Sequence, residues 1–301
     1  MLKRLRKLIV FSGVQPLYAI IFLLCALVAI LVLSQHEYKY EGSKYKLCKT
    51  NQGLWIATIE NDFVSSHIEY TSVWEPHVTD YLVKNVKQSD TIIEIGANIG
   101  YYTTLLAKLV SKNGKVYSYE ANKEVYDLAC LSLKMNDLSD IATIKNVAIC
   151  DKKGMVDFVC IEPDVNSGGA VNIGMSHILA EKRLLHGAKI MAVEAVSLDE
   201  DLPNLENVDW LRMDIEGSEI LALQGAKRII NSSPNLTIVM EWAPNAMKKY
   251  GNVSKLIDDM HGYGFKFYQI SGPNAFKQEL SKEYLLGIKG LEDLVLTRTT
   301  P

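Results

Sequence analysis

The stretch TIIEIGANIGYYTT, residues 91–104, constrains the fold of this chain more than any other feature. It begins with apolar or β-branched residues around Glu94, which predicts a short buried strand, and the leucines just beyond it share one face of a helical pattern. Gly96 and Gly100 stand between the two, where the missing Cβ permits a tight turn and a close approach to a ligand. Strand, glycine turn and helix in this order form the place where a doubly wound α/β sheet binds a nucleotide-like ligand.

The spacing of the glycines argues against a dinucleotide. A NAD loop requires G-x-G-x-x-G and a phosphate loop requires G-x-x-x-x-G-K-[ST], whereas this loop has E-x-G-x-x-x-G. An acid two residues before Gly96 repels a pyrophosphate but attracts a cation. The sulfonium cofactor S-adenosylmethionine (SAM) fits that charge. The alternative is a strand-turn-helix corner whose glycines serve packing alone.

Strand and helix patterns alternate from residue 91 onward, which predicts a mostly parallel sheet with helices on both faces. The expected strands are 91–95, 115–120, 141–149, 208–214, 236–242, 265–270 and 291–297, with an extra pair at 155–161 and 190–198. The expected helices include 77–86, 123–135, 218–230 and 246–261.

Ligands of an open α/β sheet bind at the carboxyl ends of its strands. The second strand ends in Glu120, where a carboxylate can accept two hydrogen bonds from a ribose diol, although a plain surface carboxylate is the alternative. The third strand ends near Asn146 and Val147, a small and partly apolar edge that suits an adenine ring. The candidate cofactor-binding residues are Glu94, Gly96, Ala97, Asn98, Gly100, Glu120, Asn146 and Val147.

A second polar cluster follows the fourth strand. Arg212 and Asp214 share one face of that strand because side chains alternate along it. A buried cation is costly unless it is paired, so Arg212 needs an acidic neighbour. The cluster is either a structural ion-pair network or a surface that faces the reactive end of the cofactor. The candidate catalytic residues are Asp214, Glu216, Arg212 and Glu241.

The two blocks EIGANIGYYT and VDWLRMDIEGSEILALQGA together resemble the FkbM-type family of SAM-dependent methyltransferases. Trp74-Glu75-Pro76, Ser197-Leu198-Asp199 and Glu241-Trp242 extend the resemblance, which covers residues 70–298. It implies a class I methyltransferase-like, doubly wound α/β sheet of seven strands with the last strand antiparallel. It also implies that SAM binds to the glycine loop and Glu120, with Asp214 and Glu216 beside the reaction centre.

Methyl transfer to a hydroxyl also requires a group that removes the hydroxyl proton. The sequence leaves this base open between the carboxylates Asp214, Glu216, Glu219 and Glu241 and the histidines His177 and His186. Both histidines lie in residues 162–188, a segment that could cover the site. Asp214 and Glu241 could alternatively hold Mg²⁺, but no third ligand is evident, so no metal site is predicted.

The N-terminus predicts an uncleaved, single-pass membrane anchor. Residues 8–33 are predominantly apolar, and 17–33 are unbroken, which is long enough to span a bilayer. Basic residues precede and follow this run, so the charge bias leaves the membrane side of the catalytic domain open. We therefore expect three parts: a basic N-terminus and anchor at 1–34, a juxtamembrane connector at 35–70, and a methyltransferase domain at 71–301.

Composition excludes some classes of protein. A net charge of −3 over 301 residues gives no reason to expect nucleic acid as a partner. The five cysteines show no C-x-x-C spacing, so neither zinc nor a disulfide framework is indicated. We expect a membrane-anchored O-methyltransferase that acts on a hydroxyl of a sugar, glycan, lipid-linked or small-molecule acceptor. The alternative is a catalytically inactive SAM- or nucleotide-binding or scaffolding module on the same fold.

Overall fold

The computed structural model describes residues 37–40, 43–161, 171–180, 188–275 and 278–299. The predicted anchor at 8–33 and His186 lie outside these residues. Across the described ranges, no helix combines the length and the apolar character that crossing a membrane requires. The domain boundaries predicted at 34/35 and 70/71 stay predictions.

The chain divides into two units, Met1–Leu47 and Cys48–Pro301. In the first unit, strand β1 (Glu37–Tyr40) pairs antiparallel with strand β2 (Ser43–Lys49), whose last residues enter the second unit. The second unit contains the alternating strands and helices that the sequence predicts.

The further strands are β3 (Trp55–Ile59), β4 (Thr91–Ile95), β5 (Lys115–Tyr119), β6 (Ala142–Lys145), β7 (Ala148–Ile149), β8 (Gly154–Ile161), β9 (His177–Ile178), β10 (Ala188–Val196), β11 (Trp210–Met213), β12 (Thr237–Trp242), β13 (Lys266–Ser271), β14 (Asn274–Ala275) and β15 (Glu292–Thr297). The α-helices are α1 (Phe63–Thr71), α2 (Pro76–Asn85), α3 (Tyr101–Val110), α4 (Lys123–Met135), α5 (Leu198–Asp201), α6 (Glu219–Gln224), α7 (Lys227–Ser232), α8 (Pro244–Met247), α9 (Val253–Gly262) and α10 (Lys282–Gly287). Short 3₁₀ helices cover Ser111–Asn113 and Ile173–Met175.

The central sheet has the order β13-β15-β12-β11-β4-β5-β6, and the two-residue β14 pairs with β13 at its edge. Strands β12, β11, β4, β5 and β6 are parallel, whereas β15 runs antiparallel to both β12 and β13. Ile92 and Ile93 of the middle strand are fully buried. Helices thus cover both faces, as apolar runs in a parallel sheet require. The predicted α/β sheet of seven strands with an antiparallel last strand is confirmed.

A smaller sheet in the order β7-β10-β8-β9 lies outside the central one. Its main pair is antiparallel β8 and β10, with Phe158 opposite Met191. The predicted extra strands at 155–161 and 190–198 therefore pair as expected. This small sheet matters for function because Phe158 lies in the wall of the main cleft.

Three elements that the sequence predicts as continuous are each divided in two in the structure. The strand expected at 141–149 is broken at Asn146 and Val147. The helix expected at 218–230 is two helices, because the Asp199 carboxylate accepts the N–H groups of Arg228 and Ile229 and caps a new helix there. The helix expected at 246–261 is also two helices, and Asn252 caps the second by accepting from the Lys255 N–H at 3.0 Å.

Substitution of Gly100 tests the packing behind the glycine loop. Gly100 has φ +85°, and a Cβ there would lie 2.7 Å from the Cα of Ala129 in α4. We expect Gly100→Ala to lower the free energy of unfolding by about 2–4 kcal/mol, since left-handed strain and overpacking add. Gly154→Ala is the matched control, because nothing lies within 4 Å of its Cβ position. Urea unfolding of the full chain in detergent measures both, and equal effects would contradict this packing.

Candidate active site

One cleft of about 390 Å³ opens at the carboxyl ends of β4, β5, β11 and β12. This volume is within the range of small-molecule sites, about 300–1,000 Å³. The predicted residues that line the cleft are Gly96, Asn98, Glu120, Val147, Asp214, Glu216 and Glu241. The predicted residues that the structure places beside or behind its wall are Glu94, Ala97, Gly100, Asn146 and Arg212.

The glycine loop passes tightly between two strand ends. The N–H groups of Gly96 and Ala97 both donate to the carbonyl of Tyr119, at 2.9 and 3.0 Å. Gly96 has φ +83°, and a Cβ there would lie 2.1 Å from the carbonyl oxygen of Asp214. No other residue type fits this approach, because the contact is with backbone. Ala97 is buried and supports the turn from below.

Asn98 presents an unused acceptor at the cleft. It adopts φ +49°, a left-handed conformation that asparagine tolerates better than most residues. Its N–H donates to Oε2 of Glu120 at 2.8 Å. Its side-chain Oδ1 is buried and has no partner among the described residues. A buried acceptor without a donor is costly, so this atom is available to a donor on a ligand.

Glu120 joins the glycine loop to the end of β5. Its Oε2 accepts from Asn98, and its Oε1 accepts from the N–H of Asn122 at 2.8 Å. Burial raises the pKa of Glu120 to about 7, and the backbone N–H groups oppose that rise. Each oxygen keeps a further lone pair for a ligand hydroxyl. Asn146 fixes this corner by donating to the carbonyls of Glu120 and Ala121, whereas Val147 lines the cleft.

Glu94 lies behind the loop and not in the cleft wall. It is 0% exposed, and its Oε2 accepts from Thr103 at 2.5 Å and from Ser118 at 2.7 Å. Burial raises its pKa above the ordinary value. Alternation along β4 explains this position, because Glu94 stands opposite Ser118 and Arg212 on one sheet face. The acid therefore supports the loop from inside the protein.

Arg212 is the buried cation that the sequence predicts at the end of β11. Its side chain is 7% exposed, its Nη2 donates to Oδ2 of Asp214 at 3.0 Å, and its Nη1 donates to the Gly96 carbonyl at 3.2 Å. Its guanidinium carbon lies 4.3 Å from the ring centre of Tyr102, which provides a cation–π contact. The predicted pairing of Arg212 with Asp214 is thus present, and the Arg212 side chain also contacts the glycine loop.

The remaining acids of the cluster are crowded. Burial, and then Asp214 and Glu219, raise the pKa of Glu216 to about 8. Burial, and then Asp214 and Glu216, also raise the pKa of Glu241. Glu219 is buried and accepts from the N–H of Ile215 at 3.0 Å. Crowding thus favours the neutral form of Glu216 and Glu241. Within the described ranges, no group of three or more His, Cys, Asp or Glu residues is arranged to hold a metal ion.

Sequence reasoning missed a second part of the cleft wall. It consists mainly of apolar and aromatic side chains, with Glu75 as an acid and His177 at the edge. The missed wall residues include Phe63, Trp74, Glu75, Phe158, Ile173, Met175 and Ile178. They come from four separated segments, so no local spacing reveals them. Two of the segments carried a signal. Trp74-Glu75-Pro76 belongs to the family resemblance, and Ile173, Met175 and Ile178 lie in the segment 162–188 that was expected to cover the site.

The fold and this cleft define a class I methyltransferase. A family model described as the methyltransferase FkbM domain matches residues 94–267, more than half of the 301 residues. The chain belongs to the FkbM methyltransferase family, whose cofactor is SAM. The structure fits that cofactor. Gly96, the unpaired Asn98 Oδ1 and the Glu120 carboxylate line one cavity, and the backbone at Gly96 leaves no room for a side chain.

Individual relatives are distant. The methyltransferase sdnD of Sordaria araneosa is 22% identical over 225 residues, which cover 68% of this chain and 83% of that protein. The protein-L-isoaspartate O-methyltransferase of Thermosipho melanesiensis is 32% identical over 71 residues, 23% of this chain. The chain spans only 36% of the length of that protein, and 38% of its counterpart from Methanococcoides burtonii. A solved O-methyltransferase from Bacillus cereus is 15% identical, with 74% of this chain and 79% of that one covered, at a TM-score of 0.42.

The raised carboxyl pKa values predict a pH dependence of stability. Glu216 has an ordinary value of 4.5 and a folded value of about 8, so the folded state binds more protons between them. The free energy of unfolding therefore falls as pH rises through this window, and Glu216→Gln should flatten the decline. Glu206→Gln, at an exposed acid, controls for lost charge. The free energy of unfolding, measured at about pH 5.5 and about pH 7.5, checks this. An equal change between the two pH values in wild type, Glu216→Gln and Glu206→Gln would refute it.

Proposed function

We propose that this protein is a membrane-anchored O-methyltransferase that moves a methyl group from SAM to a hydroxyl of a sugar, glycan, lipid-linked or small-molecule acceptor. The observation that carries the proposal is the single cleft in which the glycine loop and Glu120 meet the carboxyls after β11 and β12. Family membership supports the donor, and the carboxyls support a hydroxyl acceptor because they can bind and deprotonate it.

The donor half of the cleft is formed by the glycine loop, Glu120 and Val147. SAM supplies a methyl group made electrophilic by its sulfonium charge. We assign Glu120 to the ribose diol, since both of its oxygens are oriented by backbone N–H groups. Asn98 Oδ1 would accept from a donor group of the cofactor, and apolar Val147 suits the adenine ring. Glu94 and Gly100 act from behind this half by supporting the loop.

The acceptor half is formed by the carboxyls beyond β11 and β12. Arg212 holds Asp214 toward the cleft, where Asp214 keeps 28% of its side chain exposed. Glu216 and Glu241, favoured in their neutral form, can both donate to and accept from acceptor hydroxyls. Aromatic side chains, Phe63, Trp74 and Phe158, line the same cleft. Alignment of acceptor and methyl group in this half supplies most of the rate enhancement we expect.

The membrane part of the proposal rests on the apolar run at 17–33. This run is long enough for one crossing and would tether the catalytic unit near lipid-linked acceptors. Alkaline extraction of membranes from cells that express the full chain tests it. Retention in the membrane pellet, with release after deletion of 8–33, is expected, and release of the full chain would reject the anchor.

A catalytically inactive module that only binds SAM is the second candidate function. It is favoured by one feature, namely that burial and neighbouring acids raise the pKa of both Glu216 and Glu241 in the acceptor half. Radiolabelled methyl transfer to a panel of hydroxyl compounds separates the two functions. Binding of the demethylated product S-adenosylhomocysteine (SAH) without any transfer would support the module.

Calorimetry tests the donor site directly. We expect SAM and SAH to bind to the full chain in detergent and NAD to show no heat of binding. Glu120→Ala should weaken SAH binding at least about 10-fold, because hydrogen bonds to a charged group contribute about 1.5–3 kcal/mol. Glu206→Ala, at an exposed acid outside the cleft, should leave the affinity unchanged. Equal SAH affinity of the Glu120→Ala variant would remove Glu120 from the site.

A further inference from the structure

Glu75 is an acid of the cleft that the donor and acceptor assignments above leave without a role. It lines the cleft and directly precedes Pro76, the first residue of α2. It therefore reaches the cleft from outside the central sheet, unlike Asp214, Glu216 and Glu241.

The backbone at Glu75 is held in an unfavourable conformation. Its φ is +38°, in the left-handed region that residues other than glycine seldom adopt. Glu216, which lines the same cleft, has φ +57°. Such conformations cost about 1–3 kcal/mol and persist where surrounding structure enforces them, commonly at functional sites. Two left-handed glutamates that line one cleft thus point to a role for both carboxyls.

The start of α2 is fastened to the edge of the sheet beside the reaction centre. His77, two residues after Glu75, lies with its Nε2 2.6 Å from Oδ2 of Asp293 in β15. Asp293 stands directly opposite Glu241 in the β12–β15 register. This link holds the start of α2 beside the acids of the acceptor half, and Tyr102 and Arg212 contact the Glu75 carboxyl itself.

The surroundings of Glu75 let it both hold and release a proton. Burial is the main cause that raises its pKa, with the charges of Asp214 and Asp293 adding to it. Opposing this, Arg212 Nη2 lies 3.9 Å from Oε2, and the Tyr102 hydroxyl donates to that oxygen at 2.9 Å. A buried carboxyl with a cation and a hydroxyl donor beside it can ionise without losing its partners.

The other acids of the cleft are less suited to accept a proton. Asp214 is engaged by Arg212, and Glu120 is held by two backbone N–H groups. Glu216 and Glu241 have no cation within ion-pair distance in the part of the chain that the structure describes. Their neutral form is therefore favoured, which suits hydrogen bonding to the acceptor more than proton removal.

We propose that Glu75 is the catalytic base that takes the proton of the acceptor hydroxyl. The assignment rests on the proposed O-methyl transfer. The acceptor oxygen forms a bond to the methyl carbon as the carbon–sulfur bond breaks, and that electron pair remains on sulfur. The hydroxyl proton moves to the Glu75 carboxylate, and Arg212 and Tyr102 stabilise the charged state before transfer. Glu75 then loses the proton to solvent and is ready for another cycle.

Glu75→Gln tests this role, with Asp80→Asn as a matched control on the exposed side of α2. Infrared difference spectra of the full chain in detergent detect protonated carboxyls without any acceptor. Glu120 and Glu216 also titrate in the neutral range, so the readout is the wild-type spectrum minus the variant spectrum. We expect Glu75→Gln to remove one carboxyl component that titrates in this range, and the same component to remain in Asp80→Asn. Tyr102→Phe should move its midpoint to higher pH, because a donor to the charged form is removed. A Glu75→Gln spectrum that equals the wild-type spectrum at every pH would overturn the proposal.

Turnover provides the second readout. The probes are methyl glucoside, octyl glucoside and cyclohexanol with radiolabelled SAM. We expect Glu75→Gln to lower kcat at least about 100-fold, with KM and SAH affinity changed by less than about 3-fold, and to abolish the rise of kcat with pH. A kcat within about 3-fold of wild type would overturn the role of Glu75. A wild-type protein that binds SAH but methylates none of the probes contradicts the proposed function. The infrared spectra still test Glu75 in that case, because they need no acceptor.

Discussion

The buried guanidinium of Arg212 is the interaction on which the rest of the cleft depends. Removing a cation from water costs several kcal/mol unless charges and dipoles replace its hydration. Here Asp214, the Gly96 carbonyl and the ring of Tyr102 replace it. Because these partners lie just after β11, in the loop after β4 and in helix α3, one side chain holds three parts of the chain together. The shape of the cleft therefore follows from satisfying a single buried charge.

The excess of acids around that one cation explains the electrostatic character of the site. Burial disfavours charged carboxylates, and each ionised neighbour disfavours the next. Glu75, Glu216 and Glu241 all have raised pKa values, but of the residues that the structure describes only Glu75 and Asp214 lie within ion-pair distance of Arg212. Within that part of the chain, the cleft thus contains carboxyls with a cation beside them and carboxyls without one. Methyl transfer to a hydroxyl requires a carboxylate that accepts the proton and neutral carboxyls that hydrogen-bond to the acceptor, and different environments let acidic residues fill both roles.

Local pattern was enough to predict the tight glycine loop and the buried ion pair. The glycine spacing located Gly96, and alternation along the fourth strand placed Arg212 and Asp214 on one face. The seven-stranded sheet followed from the alternation of strands and helices together with the family resemblance. These features depend on contacts between near neighbours or on a repeated chain pattern, and both are visible in a sequence.

The rest could not be predicted because it depends on distant contacts. The same alternation turns Glu94 away from the cleft toward Ser118 and Thr103, which requires knowing which strands are neighbours. Phe158 reaches the cleft only because a second sheet packs there. Glu75 reaches the cleft because its backbone is left-handed, a conformation that the sequence Glu-Pro does not predict. A hydrophobic pattern records burial, but it does not record which buried surfaces meet.

The most direct test of this account is a crystal structure of the protein with SAH. The account predicts that SAH occupies the cleft at the carboxyl ends of β4 and β5, with its ribose diol hydrogen-bonded to the Glu120 carboxylate. It also predicts that the sulfur lies on the side of Asp214 and Glu75. SAH bound outside this cleft, or bound within it with the ribose away from Glu120, would contradict the account.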